Sequence, residues 1–131
     1  MAVALIDIDH FKAINDSYGH IQGDVVLNRI ASLVREAARG ADIAVRFGGE
    51  EFAVFLAGTH AVGVESFAER LCCSVQAVAF DPPMKGIAVT ISIGVAVRTP
   101  GEILNDFLGR ADTALYNAKQ AGRNRVCMAD S

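Results

Sequence analysis

The apolar positions of this chain alternate between runs typical of buried strands and stripes typical of amphipathic helices. Residues 3–8 form a run of Ala, Val, Leu and Ile that ends at Asp7 and Asp9, which predicts a central strand buried on both faces. Asp7 is therefore expected at the carboxyl end of a strand, where sheets of this kind tend to bind ligands. Asp9 is predicted to cap a short helix over residues 10–17.

Three longer helices are predicted from apolar residues at helical spacing. Gly19 and Gly23 break the chain after the short helix. Asp24 is expected to open the first long helix and Gly40 to end it, while Gly122 is the expected C-cap of the last one. The three stripes consist of Val26, Leu27, Ile30, Leu33, Val34 and Ala37; of Val64, Phe67, Ala68, Leu71, Cys72, Val75 and Val78; and of Leu104, Phe107, Leu108, Ala111, Leu115 and Ala118.

Four further strands are predicted, over residues 43–47, 52–56, 87–97 and 126–128. Gly48 and Gly49 join the first two, and because both tolerate positive φ they are a hairpin signal. The third alternates strictly between bulky branched and small side chains, so we expect a helix to pack closely on its small face. The predicted order is β-α-α-β-β-α-β-α-β, an α+β fold with helices flanking a five-stranded sheet.

Composition and charge narrow the class of protein. At 131 residues, with 52% hydrophobic and 21% charged residues, the chain is expected to form one domain with a substantial core rather than a disordered segment. The net charge of −3 argues against a nucleic-acid-binding surface. We expect no membrane segment and no signal peptide. The odd, sparse set of Cys72, Cys73 and Cys127 fits a reducing cytoplasm, with Cys72 packed in the core.

Two adjacent carboxylates, Glu50 and Glu51, follow the two glycines at the predicted bend. They could serve a charged ligand, or they could be solvated charges that keep an exposed turn soluble. The residues of the bend alone favour neither interpretation.

Four spaced motifs together cover essentially the whole chain. They are Asp7-Ile8-Asp9-His10-Phe11-Lys12-x-x-Asn15-Asp16-x-x-Gly19-His20-x-x-Gly23-Asp24; Arg46-Phe47-Gly48-Gly49-Glu50-Glu51-Phe52; Ser92-Ile93-Gly94-Val95-Ala96; and Ala111-Asp112-x-Ala114-Leu115-Tyr116-x-Ala118-Lys119-x-x-Gly122-Arg123-Asn124. In this order they resemble the GGDEF family of diguanylate cyclases. The resemblance implies a polymerase-palm or class III nucleotide cyclase-like fold, an α/β sandwich around a mostly antiparallel sheet.

Members of this family join two GTP molecules into cyclic di-GMP and release pyrophosphate. One active site holds one GTP, so the resemblance implies a homodimer for turnover and an upstream sensor domain in the full-length protein. Family members usually carry a helix with a Leu-Thr-Gly-Leu-x-Asn-Arg segment before the first strand. This chain has none, which implies an N-terminally truncated domain over residues 1–131.

Attack of a ribose hydroxyl on an α-phosphate needs a metal ion, and Mg²⁺ prefers oxygen ligands. Asp7 and Glu50 are the carboxylates that we select, and the resemblance implies the same pair plus the carbonyl of Ile8, with Mg²⁺ or Mn²⁺ as the cofactor. It also makes Glu50 the base for the 3′-hydroxyl and Lys12 a stabiliser of the transition state. Asp7 could instead be a strand-end cap. Glu51 could be a further metal ligand or a surface charge.

Guanine offers N–H donors and an acceptor, which a carboxylate and an amide can match. Asp24 and Asn15 fit, and the family uses these positions for guanine; Phe11 and His20 are assigned to the same substrate pocket. Asp24 could also be an N-cap and Asn15 a residue that ends a helix, while His20 could stabilise a turn.

The resemblance assigns the β- and γ-phosphates to Lys119 and Arg123, which we expect one helical turn apart on one face. It also makes Arg39 and Asp42 a product-inhibition site for cyclic di-GMP. Arginine suits such bidentate contacts, although Arg and Asp are common near helix ends.

Two other functions compete with the cyclase. A related domain could bind GTP or cyclic di-GMP without catalysis and signal through a partner. Degenerate receptors of this kind typically lose the acids or the lysine, whereas this chain has all four residues, Asp7, Lys12, Glu50 and Glu51. A cyclase for another nucleotide would not need Asn15 and Asp24.

Overall fold

The computed structural model describes residues 1–130, and its elements follow the predicted order. The α+β prediction is confirmed. The elements are β1 (Ala2–Ile8), α1 (Phe11–Tyr18), α2 (His20–Ala37), β2 (Ile43–Arg46), β3 (Glu51–Leu56), α3 (Ala61–Gln76), β4 (Ile91–Val97), α4 (Leu104–Gln120) and β5 (Arg125–Met128).

The five strands form one sheet in the order β2-β3-β1-β4-β5, and only the pair of β4 and β5 is parallel. β1 is central and every residue in it is buried, as its unbroken apolar run predicts. Asp7 lies opposite Glu51 of β3 on one side and opposite Ser92 of β4 on the other. This register brings the end of β1 to the start of β3.

Helices cover both faces of the sheet. The larger core, which includes Ile6 of β1 and Ile93 of β4, packs against α1, α2 and α3. On the other face α4 packs through Phe107 onto a smaller core. The predicted small face of β4 is confirmed, since a Cβ atom at Gly94 would lie 2.2 Å from both the Ala111 carbonyl oxygen and the Leu115 nitrogen. Because Gly94 has no side chain, the backbone of α4 can pack directly against β4.

Cys72 packs in the larger core, as predicted, with its Sγ atom 3.8 Å from the Ile91 carbonyl oxygen. Burial, helped by the nearby charges of Glu69 and Asp9, raises the pKa of its thiol to about 12. The thiol therefore stays protonated and unreactive at neutral pH.

Arg110 fastens the first half of α4 to the segment after β4. Its guanidinium donates to both carboxylate oxygens of Glu102, at 2.7 and 2.8 Å, and to the Val97 carbonyl at 2.6 Å. The hydrogen bond from Arg110 lowers the pKa of Glu102 to about 2.

The predicted break between the first two helices is confirmed at Gly19 but is wrong at Gly23. α2 begins at His20, so Gly23 is a buried residue inside the helix and Asp24 is not an N-cap. Gly19 turns the chain alone, with φ of 85°, and its carbonyl accepts the Gly23 amide hydrogen in the first turn of α2. A single glycine at positive φ is sufficient for this change of direction.

Three predicted strand or helix ends also shift, and the first is that of α2, which ends at Ala37 rather than at Gly40. β4 begins at Ile91 rather than at residue 87, because β1 ends at Ile8, the residue that pairs with Ile91. The four residues before it have no strand beside them. α3 ends at Gln76, so Val78 lies beyond the helix, although it still packs against the larger core.

None of the helices within residues 1–130 is long and apolar enough to cross a membrane.

Candidate functional site

The end of β1 and the tip of the β2–β3 hairpin meet at one edge of the sheet. The Ile8 amide donates to the Glu50 carbonyl oxygen at 3.3 Å, and Glu51 pairs in register with Asp7. The side chain of Asp7 is buried, that of Glu50 is half-buried, and that of Glu51 is exposed. The sheet thus brings together the acids that the sequence selects, although Asp7 and Glu50 lie far apart along the chain.

Lys119, in the last turn of α4, joins this cluster from a third element. Its Nζ atom donates to Asp7 Oδ2 in an ion pair. Asp7 Oδ1 is also buried but has no hydrogen-bond partner within the described residues. A buried carboxylate oxygen without a donor costs free energy unless a further positive group satisfies it.

The pKa of Glu50 is raised above its ordinary value. Burial is the largest cause, followed by repulsion from the Asp7 charge, while the Lys119 charge partly offsets them. Two neighbouring carboxyl groups disfavour their joint ionisation. A bound cation would relieve this repulsion.

These features fit a divalent cation with oxygen ligands. The donor set consists of the Asp7 and Glu50 carboxylates, and Asp7 contributes a buried oxygen without a hydrogen-bond partner. No group of three or more His, Cys, Asp or Glu side chains within residues 1–130 is arranged to hold a metal. A two-carboxylate set suits Mg²⁺, which keeps several of its waters and binds substrate phosphates.

The glycine hairpin forms, but not as predicted. Gly48 and Gly49 both lie outside the positive-φ region, so the expected use of their left-handed freedom is wrong. Arg46 closes the loop instead, since its guanidinium donates to the Gly48 carbonyl at 3.1 Å and to the Gly49 carbonyl at 2.6 Å. A Cβ atom at Gly49 would point into open space. The role of Arg46 was missed, although the residue directly precedes the glycines.

The helix pair α1 and α2 places Asn15 directly over Gly23. A Cβ atom at Gly23 would lie 1.8 Å from Asn15 Oδ1 and 3.3 Å from the ring of Phe11. Asn15 Oδ1 is buried and lacks a hydrogen-bond partner within the described part of the chain. Asp24, the next residue along α2, is exposed. Because Asp24 does not cap the helix, its carboxylate is available to a ligand.

The remaining predicted substrate residues lie at helix ends. Lys12 in the first turn of α1 and His20 at the start of α2 are both exposed. Phe11 is 7% exposed and packs in the larger core, so most of its ring is shielded from a ligand.

Lys119 and Arg123 do not share a helical face, contrary to the prediction. α4 ends at Gln120, and Gly122 follows with φ of 122°. The Arg123 amide donates back to the Ala118 carbonyl at 3.0 Å. This helix-ending motif confirms the capping role of Gly122, and it turns the chain before Arg123.

Arg39 and Asp42 form a tight turn after α2. The Asp42 carboxylate accepts the Arg39 amide hydrogen at 3.1 Å and the Ala57 amide hydrogen at 3.3 Å. Arg39 lines a groove of about 240 Å³ between α2 and α3, together with Arg70. Arg70 was missed because a helical stripe alone does not show which neighbouring helix an exposed residue will face.

A family model described as "Diguanylate cyclase, GGDEF domain" matches residues 1–125. Diguanylate cyclase A of Treponema denticola is 46% identical over 129 residues, which are 98% of this chain and 35% of that protein. Diguanylate cyclase DgcP of Pseudomonas aeruginosa is 42% identical over 126 residues, 96% of this chain and 19% of that protein. The chain thus spans well under half of the length of these relatives.

Solved structures are similar over nearly the whole chain. The GGDEF domain of DgcB from Caulobacter crescentus, in complex with c-di-GMP, superposes with a TM-score of 0.95 at 39% identity, covering 99% of this chain and 78% of that one. The active GGEEF domain of a diguanylate cyclase from Vibrio cholerae superposes with a TM-score of 0.91 at 34% identity, covering 99% and 83%.

Proposed function

Because the chain belongs to the GGDEF family of diguanylate cyclases, we propose that it is a catalytic domain that condenses two GTP into cyclic di-GMP and releases pyrophosphate. The observation that carries this proposal is the cluster of Asp7, Glu50 and Lys119 at the sheet edge. It contains a buried carboxylate oxygen without a partner and a carboxyl group of raised pKa. A domain that had lost catalysis would not need to maintain this unfavourable arrangement.

Asp7, Glu50 and the Ile8 carbonyl would hold Mg²⁺ or Mn²⁺. Such an ion supplies charge neutralisation to the triphosphate and acidifies the attacking 3′-hydroxyl. The raised pKa of Glu50 makes its carboxylate a better proton acceptor than an ordinary one. Glu51 is exposed beside this pair, where it is either a further ligand or a surface charge.

Lys12, Lys119 and Arg123 would grip the phosphates, and the Phe11 amide at the start of α1 adds a backbone donor. Lys119 already lies against Asp7, so a triphosphate bound at the acids would meet its ammonium group. Each cation offsets charge that grows in the transition state.

Asn15 and Asp24 would read the guanine edge, with His20 beside them. The buried, unpartnered Asn15 Oδ1 supports this role, because a guanine N–H group would satisfy it. An adenine, which places its donor and acceptor groups differently on that edge, would not match the same pair.

Replacing Gly23 with alanine is expected to raise the KM for GTP about tenfold while the fold survives, since a lost hydrogen bond in such a site costs about that factor. The new Cβ atom would displace the Asn15 side chain, whose Oδ1 atom lies 1.8 Å from that position. Because alanine favours the helix more than glycine does, α2 should still form. Steady-state kinetics and a thermal melt measure the two effects.

Asn15→Ala provides the matched comparison for Gly23→Ala. If the glycine acts through Asn15, the double variant will show little more than either single one. An unchanged KM in Gly23→Ala would contradict the placement of Asn15 in the guanine pocket.

Turnover would require a homodimer, because one domain offers acids for one GTP and the second nucleotide must face it from another copy. An upstream sensor domain would control this encounter in the full-length protein, which we place in the cytoplasm. The greater length of the curated relatives supports this arrangement.

Product analysis tests the proposal. Purified protein, alone and within a longer native chain, is incubated with radiolabelled GTP and Mg²⁺, and the products are separated by chromatography. We expect cyclic di-GMP and two equivalents of pyrophosphate. Binding of GTP or cyclic di-GMP with no turnover in the longer chain would instead identify a receptor domain, and turnover of ATP would identify a cyclase of another specificity.

Replacing Arg39 with alanine is expected to relieve inhibition by cyclic di-GMP without lowering the initial rate. The Arg39 guanidinium lines the groove with Arg70, where two cations would bind the product phosphates. The inhibition constant should rise roughly tenfold or more, as expected for loss of a charge-assisted contact. Inhibition curves for Arg39→Ala and Arg70→Ala measure it.

Arg29→Ala is the matched control, because Arg29 is an exposed arginine of α2 outside that groove. Inhibition that persists unchanged in Arg39→Ala would show that the turn formed with Asp42 is only structural.

A further inference from the structure

Asp9 is a buried carboxylate that the site described above does not use. It is 5% exposed, and it does not cap α1 as predicted, because no side chain caps that helix. Its oxygens instead accept the Thr90 hydroxyl at 2.7 Å, the Ser92 hydroxyl at 2.6 Å and the Asn124 amide hydrogen at 3.0 Å. None of these donors is a cation, so the buried Asp9 carboxylate is held by three uncharged donors.

The third of these bonds reaches a strained turn. Arg123 and Asn124 both adopt positive φ, 65° and 47° respectively. Two consecutive residues other than glycine in this region cost free energy and persist only where the surroundings hold them. The Asn124 amide is bound to Asp9, and the Arg123 amide is bound to the end of α4. The turn is therefore held from both of its sides.

Asp7 and Asp9 act on the same stretch of chain from the same strand end. Asp7 holds the Lys119 side chain in the last turn of α4, and Asp9 holds the Asn124 amide just beyond it. Between these two attachments lies Arg123. The bond between Asp9 and Asn124 thus holds the backbone directly after Arg123.

We propose that Asp9 is a positioning residue for phosphate binding, which fixes the turn over residues 121–124 so that Arg123 reaches the triphosphate. This inference rests on the proposed function. Asp9 itself touches no substrate; it acts through the backbone of Asn124. The family motif contains Asp9, but no role follows from the motif for it, and the structure assigns one.

The test compares Asp9→Ala with Ser92→Ala. Asp9→Ala removes the attachment of Asn124, whereas Ser92→Ala removes one of the other two donors and leaves that attachment in place. We expect both to lower the melting temperature. Only Asp9→Ala should raise the KM for GTP, about tenfold and with little change in kcat, as loss of uniform substrate binding does.

Three further tests separate positioning from stability. Amide hydrogen exchange at Asn124 should accelerate in Asp9→Ala and stay slow in Ser92→Ala. In an Arg123→Ala background, Asp9→Ala should raise KM no further, because the two residues act in series. Asp9→Asn, which retains one acceptor oxygen, should recover part of the affinity and provides a folded variant if Asp9→Ala does not fold.

An unchanged KM in folded Asp9→Ala or Asp9→Asn, or KM effects of Asp9 and Arg123 that multiply, would overturn the positioning role and leave the cyclase proposal intact. A wild-type protein that neither binds nor turns over GTP would overturn the cyclase proposal itself and, with it, this inference. Exchange at Asn124 would still report whether Asp9 holds the turn.

Discussion

Replacing Glu50 with glutamine is expected to abolish cyclic di-GMP synthesis, with a loss of roughly 10³-fold or more in kcat. Removal of a general base alone costs about 10²–10⁴-fold, and the same substitution removes a charged metal ligand. Glutamine has nearly the same shape, so the hairpin can keep its backbone bonds, including that from Ile8 to the residue 50 carbonyl. GTP turnover in the presence of Mg²⁺ measures the effect.

The fold should survive this substitution. Burial and the Asp7 charge raise the pKa of Glu50 in the folded state. At a pH above both the folded and unfolded values, a raised pKa means that the ionised carboxyl opposes folding. Glu50→Gln removes this opposition, so we expect a melting temperature at pH 7 that is equal to or higher than that of the wild type.

Two comparisons complete the Glu50 experiment. Glu65→Gln removes an equal charge from an exposed position of α3 and should leave turnover unchanged. Glu51→Gln distinguishes the two roles of that residue. Loss of a metal ligand would raise the Mg²⁺ concentration that turnover requires, whereas loss of a surface charge would not. Full activity in Glu50→Gln would remove Glu50 from the mechanism.

The local pattern of the sequence was sufficient for most of the fold. The apolar run of β1 and the alternation around Gly94 in β4 reflect burial, which a single segment already encodes. The start of α2 was placed wrongly because Gly23 and Asp24 resemble a helix-start signal. The packing of α1 on α2, which no local signal shows, decides that Gly23 is a point of close contact.

The site was predictable in part. Asp7 and Glu50 are selected by their places at a strand end and a bend as well as by the motifs, Lys119 is selected by its motif alone, and the structure brings the three together. The roles of Asp9 and Arg70 depend on partners that are distant in the chain. Asp9, for example, accepts hydrogen bonds from Ser92 and Asn124 across separations of 83 and 115 residues. Such pairings arise from the register of β1 with β4 and from the turn after α4, which only the assembled sheet defines.

Replacing Gly94 with alanine is expected to destabilise the protein by about 3 kcal/mol, at the upper end of the usual cost of overpacking. The new Cβ atom would lie 2.2 Å from the Ala111 carbonyl oxygen, 2.2 Å from the Leu115 nitrogen and 2.7 Å from the Leu115 Cα atom. These are backbone atoms of α4, which no rotamer change can move. The helix must therefore shift away from the sheet, and chemical denaturation will measure the cost.

A shift of α4 should also reach the site, because Lys119 of α4 must meet Asp7 of β1. We therefore expect Gly94→Ala to lower GTP turnover even at temperatures where it is fully folded. Gly109→Ala is the matched control: it lies in the same helix, a Cβ atom there meets no other atom within 4 Å, and alanine should stabilise the helix by up to about 1 kcal/mol. Equal stability of the two variants would contradict the close packing of α4 on β4, while a destabilised Gly94→Ala with normal turnover would show that the ion pair tolerates movement of the helix.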